Sequence, residues 1–130
     1  MNEILTWGAV AALGGLYAYS KGWILANFKS ITPLEAHELL KDTKGTLLLD
    51  VRTPMEFKQE SIKGAILIPL HELPNNLKKL EKYKEHKILV YCRSGNRSVT
   101  ASRILAKNGF LPLNVKGGIN RWKNLGIELR

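Results

Sequence analysis

The sequence predicts an α/β domain with a central, mostly parallel sheet flanked by helices, preceded by one amino-terminal hydrophobic helix. Three observations carry this reading. Short apolar runs at 46–49, 65–68, 88–91 and 111–115 alternate with stretches of helical periodicity, as in chains that build a parallel sheet covered on both faces. Two capping boxes, Thr32-Pro33-Leu34-Glu35 and Thr53-Pro54-Met55-Glu56, mark helix starts with proline at the first helical position. A stretch from Ile4 to Ser20 holds 17 residues without a charge.

That stretch is taken first. At about 1.5 Å per residue it spans roughly 25 Å, the lower edge of a bilayer core; a snorkelling Lys21 lengthens it. Trp7 lies toward one end, with Tyr17, Tyr19 and Trp23 toward the other, as in an aromatic belt. The only charged side chain before the run is Glu3, whereas a cleaved signal peptide wants a positive n-region. Residues 1–29 therefore read as a single-pass membrane anchor. Lys21 and Lys29 on its carboxyl side place the following domain, residues 30–130, in the cytoplasm.

The first capping box opens a short helix to about Lys41. Residues 42–45 turn, and Thr46 to Leu49 form a buried strand ending at Asp50-Val51-Arg52. The second capping box gives one or two helical turns to Gln59. Ala65 to Ile68 is a short strand, and Pro74 to Tyr83 a helix with Leu77 and Leu80 inward. Ile88 to Tyr91 is a buried strand that ends at Cys92. Ser98 caps a helix running to Asn108, stopped by Gly109. Leu111 to Val115 is the last strand; Gly117 and Gly118 read as turn glycines of positive φ, and the final helix runs through Trp122, a core residue.

Composition excludes several classes. Cys92 is the single cysteine, so neither an intrachain disulfide nor a cysteine-based metal cluster is expected. His37, His71 and His86 show no ligand spacing, so no metal site is expected. The net charge is +9, which attracts anions. However, Lys78, Lys79, Lys82, Lys84 and Lys87 alternate with Glu81 and Glu85 as on a solvated face, without the interleaved aromatics of nucleic-acid binding.

Ligands of such folds bind beyond the carboxyl ends of strands, where Asp50, Arg52 and Cys92 fall. A thiol between a strand end and a helix amino terminus lies where backbone amides and the helix dipole favour an anion, an environment that promotes the thiolate. Arg93 and Arg97 add guanidinium groups to the same loop.

Residues 30–130 resemble the rhodanese (sulfurtransferase) family. Asp50-Val51-Arg52-Thr53-Pro54-Met55-Glu56-Phe57, Lys63-Gly64-Ala65-Ile66-Leu67-Ile68-Pro69, Cys92-Arg93-Ser94-Gly95-Asn96-Arg97-Ser98 and Lys116-Gly117-Gly118-Ile119-Asn120-Arg121-Trp122 are similar, in order and spacing, to four of its motifs. Glu60-Ser61-Ile62 departs from the Gly-His-Ile of many members. The resemblance implies that Cys92 takes sulfane sulfur from thiosulfate or a polysulfide and passes it, as a persulfide, to cyanide or a thiol, including a protein thiol. No cofactor is implied. Arg97, and secondarily Arg93, would contact the anionic donor. Amides and hydroxyls from Ser94, Gly95, Asn96 and Ser98 would cradle the sulfur. Asp50 and Arg52 read as a supporting ion pair. Two other classes share some of these features: a membrane-tethered binding module without turnover, and a cysteine-dependent phosphatase. The phosphatase pattern is Cys-x5-Arg, one residue longer than the spacing from Cys92 to Arg97.

Overall fold

The computed structural model describes residues 28–129. Five strands form one sheet: β1 (Lys29–Ile31), β2 (Thr46–Asp50), β3 (Ile66–Leu67), β4 (Lys87–Tyr91) and β5 (Leu111–Val115). Their spatial order is β1-β5-β4-β2-β3 and every pairing is parallel. The sequence reading of a parallel sheet with helices on both faces holds.

The alternation of side chains along β2 and β4 divides the core. Leu47, Leu49 and Val51 share one face with Ile88, Val90 and Cys92. That face is covered by helix α3 (Asn96–Lys107), through Ala101 and Leu105, and by a 3₁₀ segment (Leu70–Tyr83), through Leu73 and Leu80. Leu48, Leu89, Tyr91 and Val115 look the other way. They meet Ala36 of α1 (Pro33–Leu39) and Ile119 and Trp122 of α4 (Gly118–Trp122). Trp122 is a core residue, as expected. Both central strands are buried on both faces, so they read as continuous apolar runs.

Both capping boxes form: Thr32 caps α1 with Glu35 reaching back, and Thr53 caps α2 (Pro54–Gln59) with Glu56 doing the same. Four boundaries differ from the sequence reading. Lys29–Ile31 is an edge strand on β5 with only Ile31 buried, too short to show a period. The 65–68 strand shortens to Ile66–Leu67. The expected helix at 74–83 is a 3₁₀ segment that begins at Leu70 and carries Pro74 inside it. Leu70, Leu73, Leu77, Leu80 and Tyr83 face the core, mostly at the three-residue spacing that a 3₁₀ helix aligns on one side. Finally, α3 begins at Asn96 and is capped by Gly95, so Ser98 lies inside the helix.

The expected hydrophobic helix over residues 1–29 lies outside the described residues except at its end, where Lys29 opens β1 instead. No helix among those described is long and apolar enough to cross a membrane.

Candidate active site

β4 runs through the middle of the sheet and delivers Cys92 at its carboxyl end, 1 % exposed. The chain then turns through Arg93, Ser94 and Gly95 into α3. Gly95 stands at φ +114°, a conformation open mainly to glycine, and its amide donates to Cys92 Sγ at 3.1 Å. Ser98 Oγ lies 3.4 Å from Sγ and donates to the Gly95 carbonyl at 3.1 Å. The expected cap at Ser98 is therefore corrected. One turn into the helix, its hydroxyl braces the loop and touches the sulfur instead of closing the helix end. The amides of Asn96, Arg97 and Ser98 donate to no acceptor among the described residues. They are the open donors of a helix amino terminus, placed beside a buried sulfur. The side chains of Ser94 and Asn96 are exposed on the rim.

The loop is held from behind by α4. Ile119 N–H donates to the Cys92 carbonyl at 2.9 Å, and Asn120 N–H to the Arg93 carbonyl at 3.1 Å. That approach is why Gly118 is glycine: a Cβ there would sit 2.3 Å from the Cys92 carbonyl oxygen and 2.6 Å from Arg93 backbone atoms. The Gly117-Gly118 pair is thus a turn, as expected from sequence, and also a docking surface for the loop.

Asp50 and Arg52 form the expected supporting pair. Arg52 is 2 % exposed and Asp50 fully buried. Arg52 Nε donates to both Asp50 oxygens at 3.0 Å, and Nη2 donates to Oδ2 and to the Glu60 carbonyl at 2.7 Å each. Burial works against the Arg52 charge, but the hydrogen bonds and charge of Asp50 outweigh it and hold the guanidinium above its ordinary range. The guanidinium lies over the Tyr91 ring at 5.6 Å, and Tyr91 Oη accepts from the Ile62 amide at 3.1 Å. Burial, then the neighbouring Asp50 charge, pushes the phenol well above its usual range. Asp50 follows Leu48 in the alternation and pairs with Tyr91, on the face opposite the thiol. The pair ties the β2 end to residues 60–62 and does not touch sulfur. Glu60, the departure from the family pattern, caps α2 and pairs through its carboxylate with Lys123.

Glu56 is the residue whose part in the site sequence reasoning missed. Its Oε1 accepts from the Thr53 amide at 3.0 Å and from Arg97 Nη1 at 2.7 Å. Its Oε2 accepts from Arg97 Nη2 at 2.9 Å and from Arg93 Nε at 3.0 Å. The Arg97 bonds, then the Thr53 amide and Arg93, hold this carboxyl far below the usual carboxylate range despite its partial burial. The cause is the strand order, which the sequence alone does not give: β2 and β4 are neighbours, so the helices that follow them start side by side. A cleft of about 360 Å³, lined by Val51, Thr53, Pro69, Leu70, His71 and Arg97 among others, adjoins the loop. A cleft of about 280 Å³ between α1 and Trp122 shares no residue with the loop.

Residues 32–125 match the Rhodanese-like domain family. A sulfurtransferase of Allochromatium vinosum is 37% identical over 91 residues, covering 69% of this chain and 83% of that protein. The thiosulfate sulfurtransferase PspE of Escherichia coli is 35% identical over 71 residues, covering 55% and 68%. Among solved structures, a rhodanese-related protein of Thermoplasma volcanium superposes with a TM-score of 0.72 at 35% identity, covering 79% of this chain and 98% of that one. With its parallel sheet, its thiol loop at the end of the central strand and a family match over most of its length, this chain belongs to the rhodanese-like domain family.

Proposed function

We propose that the protein is a sulfurtransferase that moves sulfane sulfur from an anionic donor, thiosulfate or a polysulfide, to a thiol or cyanide through a persulfide on Cys92. The observation that carries this is the sulfur's setting. Sγ is buried at the end of β4, receives the Gly95 amide, and sits at the amino end of a 12-residue helix whose first three amides have no acceptor among the described residues. Such donors stabilise negative charge on sulfur. The names of the relatives point the same way.

The reaction divides into two displacements. The Cys92 thiolate attacks the outer sulfur of thiosulfate; the new S–S bond forms as the old one breaks, and its electron pair leaves with sulfite. The persulfide's outer sulfur is then attacked by cyanide or a thiolate, and the bonding pair returns to Cys92. The loop amides stabilise the charged sulfur and Ser98, bonded to the Gly95 carbonyl, braces the loop that presents them, while the guanidinium groups of Arg93 and Arg97 draw the anionic donor to the mouth. Cys92→Ser tests the reading. The folded variant should lose all thiosulfate:cyanide transfer, and turnover retained by a folded variant would overturn it.

The uncharged run that starts at Ile4, ahead of β1, is read as an anchor that holds the domain at the cytoplasmic face of a membrane, on the strength of its length and of Lys21 and Lys29 on its carboxyl side. The full chain should then stay with membranes through a carbonate wash. Release by that wash, or a strong signal from a periplasm-dependent reporter fused to the carboxyl terminus, would contradict it.

A further inference from the structure

Because every strand pairing is parallel, the domain has two unlike poles. Cys92 lies where the strands end. Where they start, Lys29 opens β1, Lys44 stands in the turn before β2, Lys87 opens β4 and Lys107 closes α3. All four are exposed, and none has an acid within salt-bridge distance among the described residues. The register sets Thr46, Lys87 and Leu111 in one row across β2, β4 and β5. The Lys87 amide donates to the Gly45 carbonyl at 2.9 Å, which ties the Lys44 turn to that row. Leu111 is 50% exposed in it. Nearby, Lys41 pairs with Glu38 and Lys84 with Glu81. Asp42, which accepts from the Gly45 amide at 3.1 Å, and exposed Glu85 are the acids left beside the four lysines, so positive charge prevails.

The chain also enters the fold at this pole. β1 runs from Lys29 to Ile31 in parallel with β5, so Lys29 is reached from the strand-start side. Residues 21–28 separate the uncharged run from β1. Fully extended they reach about 28 Å, roughly the width of a domain this size, too little to turn the domain over. Lys116, just past β5 at the Cys92 pole, is exposed as well. Charge alone therefore does not choose between the poles; the entry point does.

We propose that the pole of Lys29, Lys44, Lys87 and Lys107 lies against the anionic headgroups of the bilayer that holds the anchor. Cys92 then faces away from the membrane, open to soluble donors and acceptors. The inference rests on the anchor reading and extends it. The cytoplasmic leaflet carries the negative surface potential, and each lysine near it strengthens the contact about fivefold. Leu111 adds an apolar side chain at the same level, suited to the headgroup boundary.

The test uses the full chain in lipid nanodiscs of phosphatidylcholine alone and with phosphatidylglycerol added. A neutral amine-acetylating reagent is applied, and the rate at each lysine is read by peptide mass. Lys44, Lys87 and Lys107 should react about fivefold more slowly in the anionic discs, with Lys116 unchanged as the internal control. Salt at about 0.5 M should erase the difference. In the triple variant Lys44→Gln, Lys87→Gln, Lys107→Gln, all at exposed positions, Lys29 should lose its protection too. Equal rates in both discs would overturn the proposal and leave the anchor standing, and protection of Lys116 instead would put the opposite pole on the bilayer. Protection of the strand-start lysines by a short RNA duplex, but not by anionic lipid, would assign the pole to nucleic acid and also overturn it. A chain that elutes apart from the phosphatidylcholine discs would overturn the anchor reading, while the anionic discs would still report on the pole.

Discussion

Gly118→Ala puts a single methyl group between α4 and the loop that carries Cys92. The position has φ +57°, and an ideal Cβ would lie 2.3 Å from the Cys92 carbonyl oxygen and 2.6 Å from the Arg93 carbonyl carbon and oxygen. All three are backbone atoms, so no side chain can swing aside. Left-handed backbone costs an alanine about 1–2 kcal/mol. Forcing extra volume into this contact adds about 1–3 kcal/mol, for a total of about 2–5 kcal/mol. Gly126→Ala is the control, since φ is +70° and nothing lies within 4 Å of its Cβ. It should show the backbone cost alone. Urea denaturation of the two variants should therefore differ by about 1–3 kcal/mol, with Gly118→Ala the weaker. Activity should separate them further. The loop must move by a sizeable fraction of an ångström, which displaces Sγ from its amides, and about 1 Å of misplacement costs on the order of 10²-fold in rate. Folded Gly118→Ala should thus lose sulfur transfer while Gly126→Ala keeps it. Equal stability losses and equal activities would refute the claim that α4 sets the loop's position by close backbone contact.

Arg52→Ala leaves Asp50 charged and fully buried without its partner, which should destabilise the domain by about 3–5 kcal/mol in urea denaturation; a loss under about 1 kcal/mol would mean the pair is not structural. The Glu56 clamp has a pH signature. Because its folded-state pKa lies below the ordinary value of 4.5, the stability it adds is fully present above that value and is lost as pH falls through the folded one. Wild type should exceed Glu56→Gln by about 1–2 kcal/mol, constant from about pH 8 to pH 5 and shrinking below that. A difference that grows on acidification would contradict the assignment.

Much of this was legible in the sequence because local chemistry and global fold agree there. Thr32 with Glu35 and Thr53 with Glu56 read as capping boxes and form them. The strand before Cys92 is apolar from Ile88 onward because that part of β4 is covered on both faces. The misses have physical causes. Lys29–Ile31 gains its strand character from pairing with β5, not from its own pattern. Pro74 reads as a helix start, but the chain enters the 3₁₀ segment four residues earlier. Ser98 has the composition of a cap, yet Gly95 takes that place because only its positive φ bends the loop around the sulfur. Glu56 already had a local explanation in its capping box, which hid its longer reach to Arg93 and Arg97, 37 and 41 residues away.

The most direct test of the central claim is the mass of the intact chain after brief incubation with thiosulfate and removal of the donor. Cys92 is the only cysteine, so a persulfide has one place to form. The chain should gain the mass of one sulfur atom, placed on Cys92 by fragmentation, and lose it stoichiometrically as thiocyanate when cyanide is added. A chain whose mass stays unchanged in thiosulfate, while it still turns thiosulfate and cyanide over, would contradict a Cys92 persulfide as the carrier.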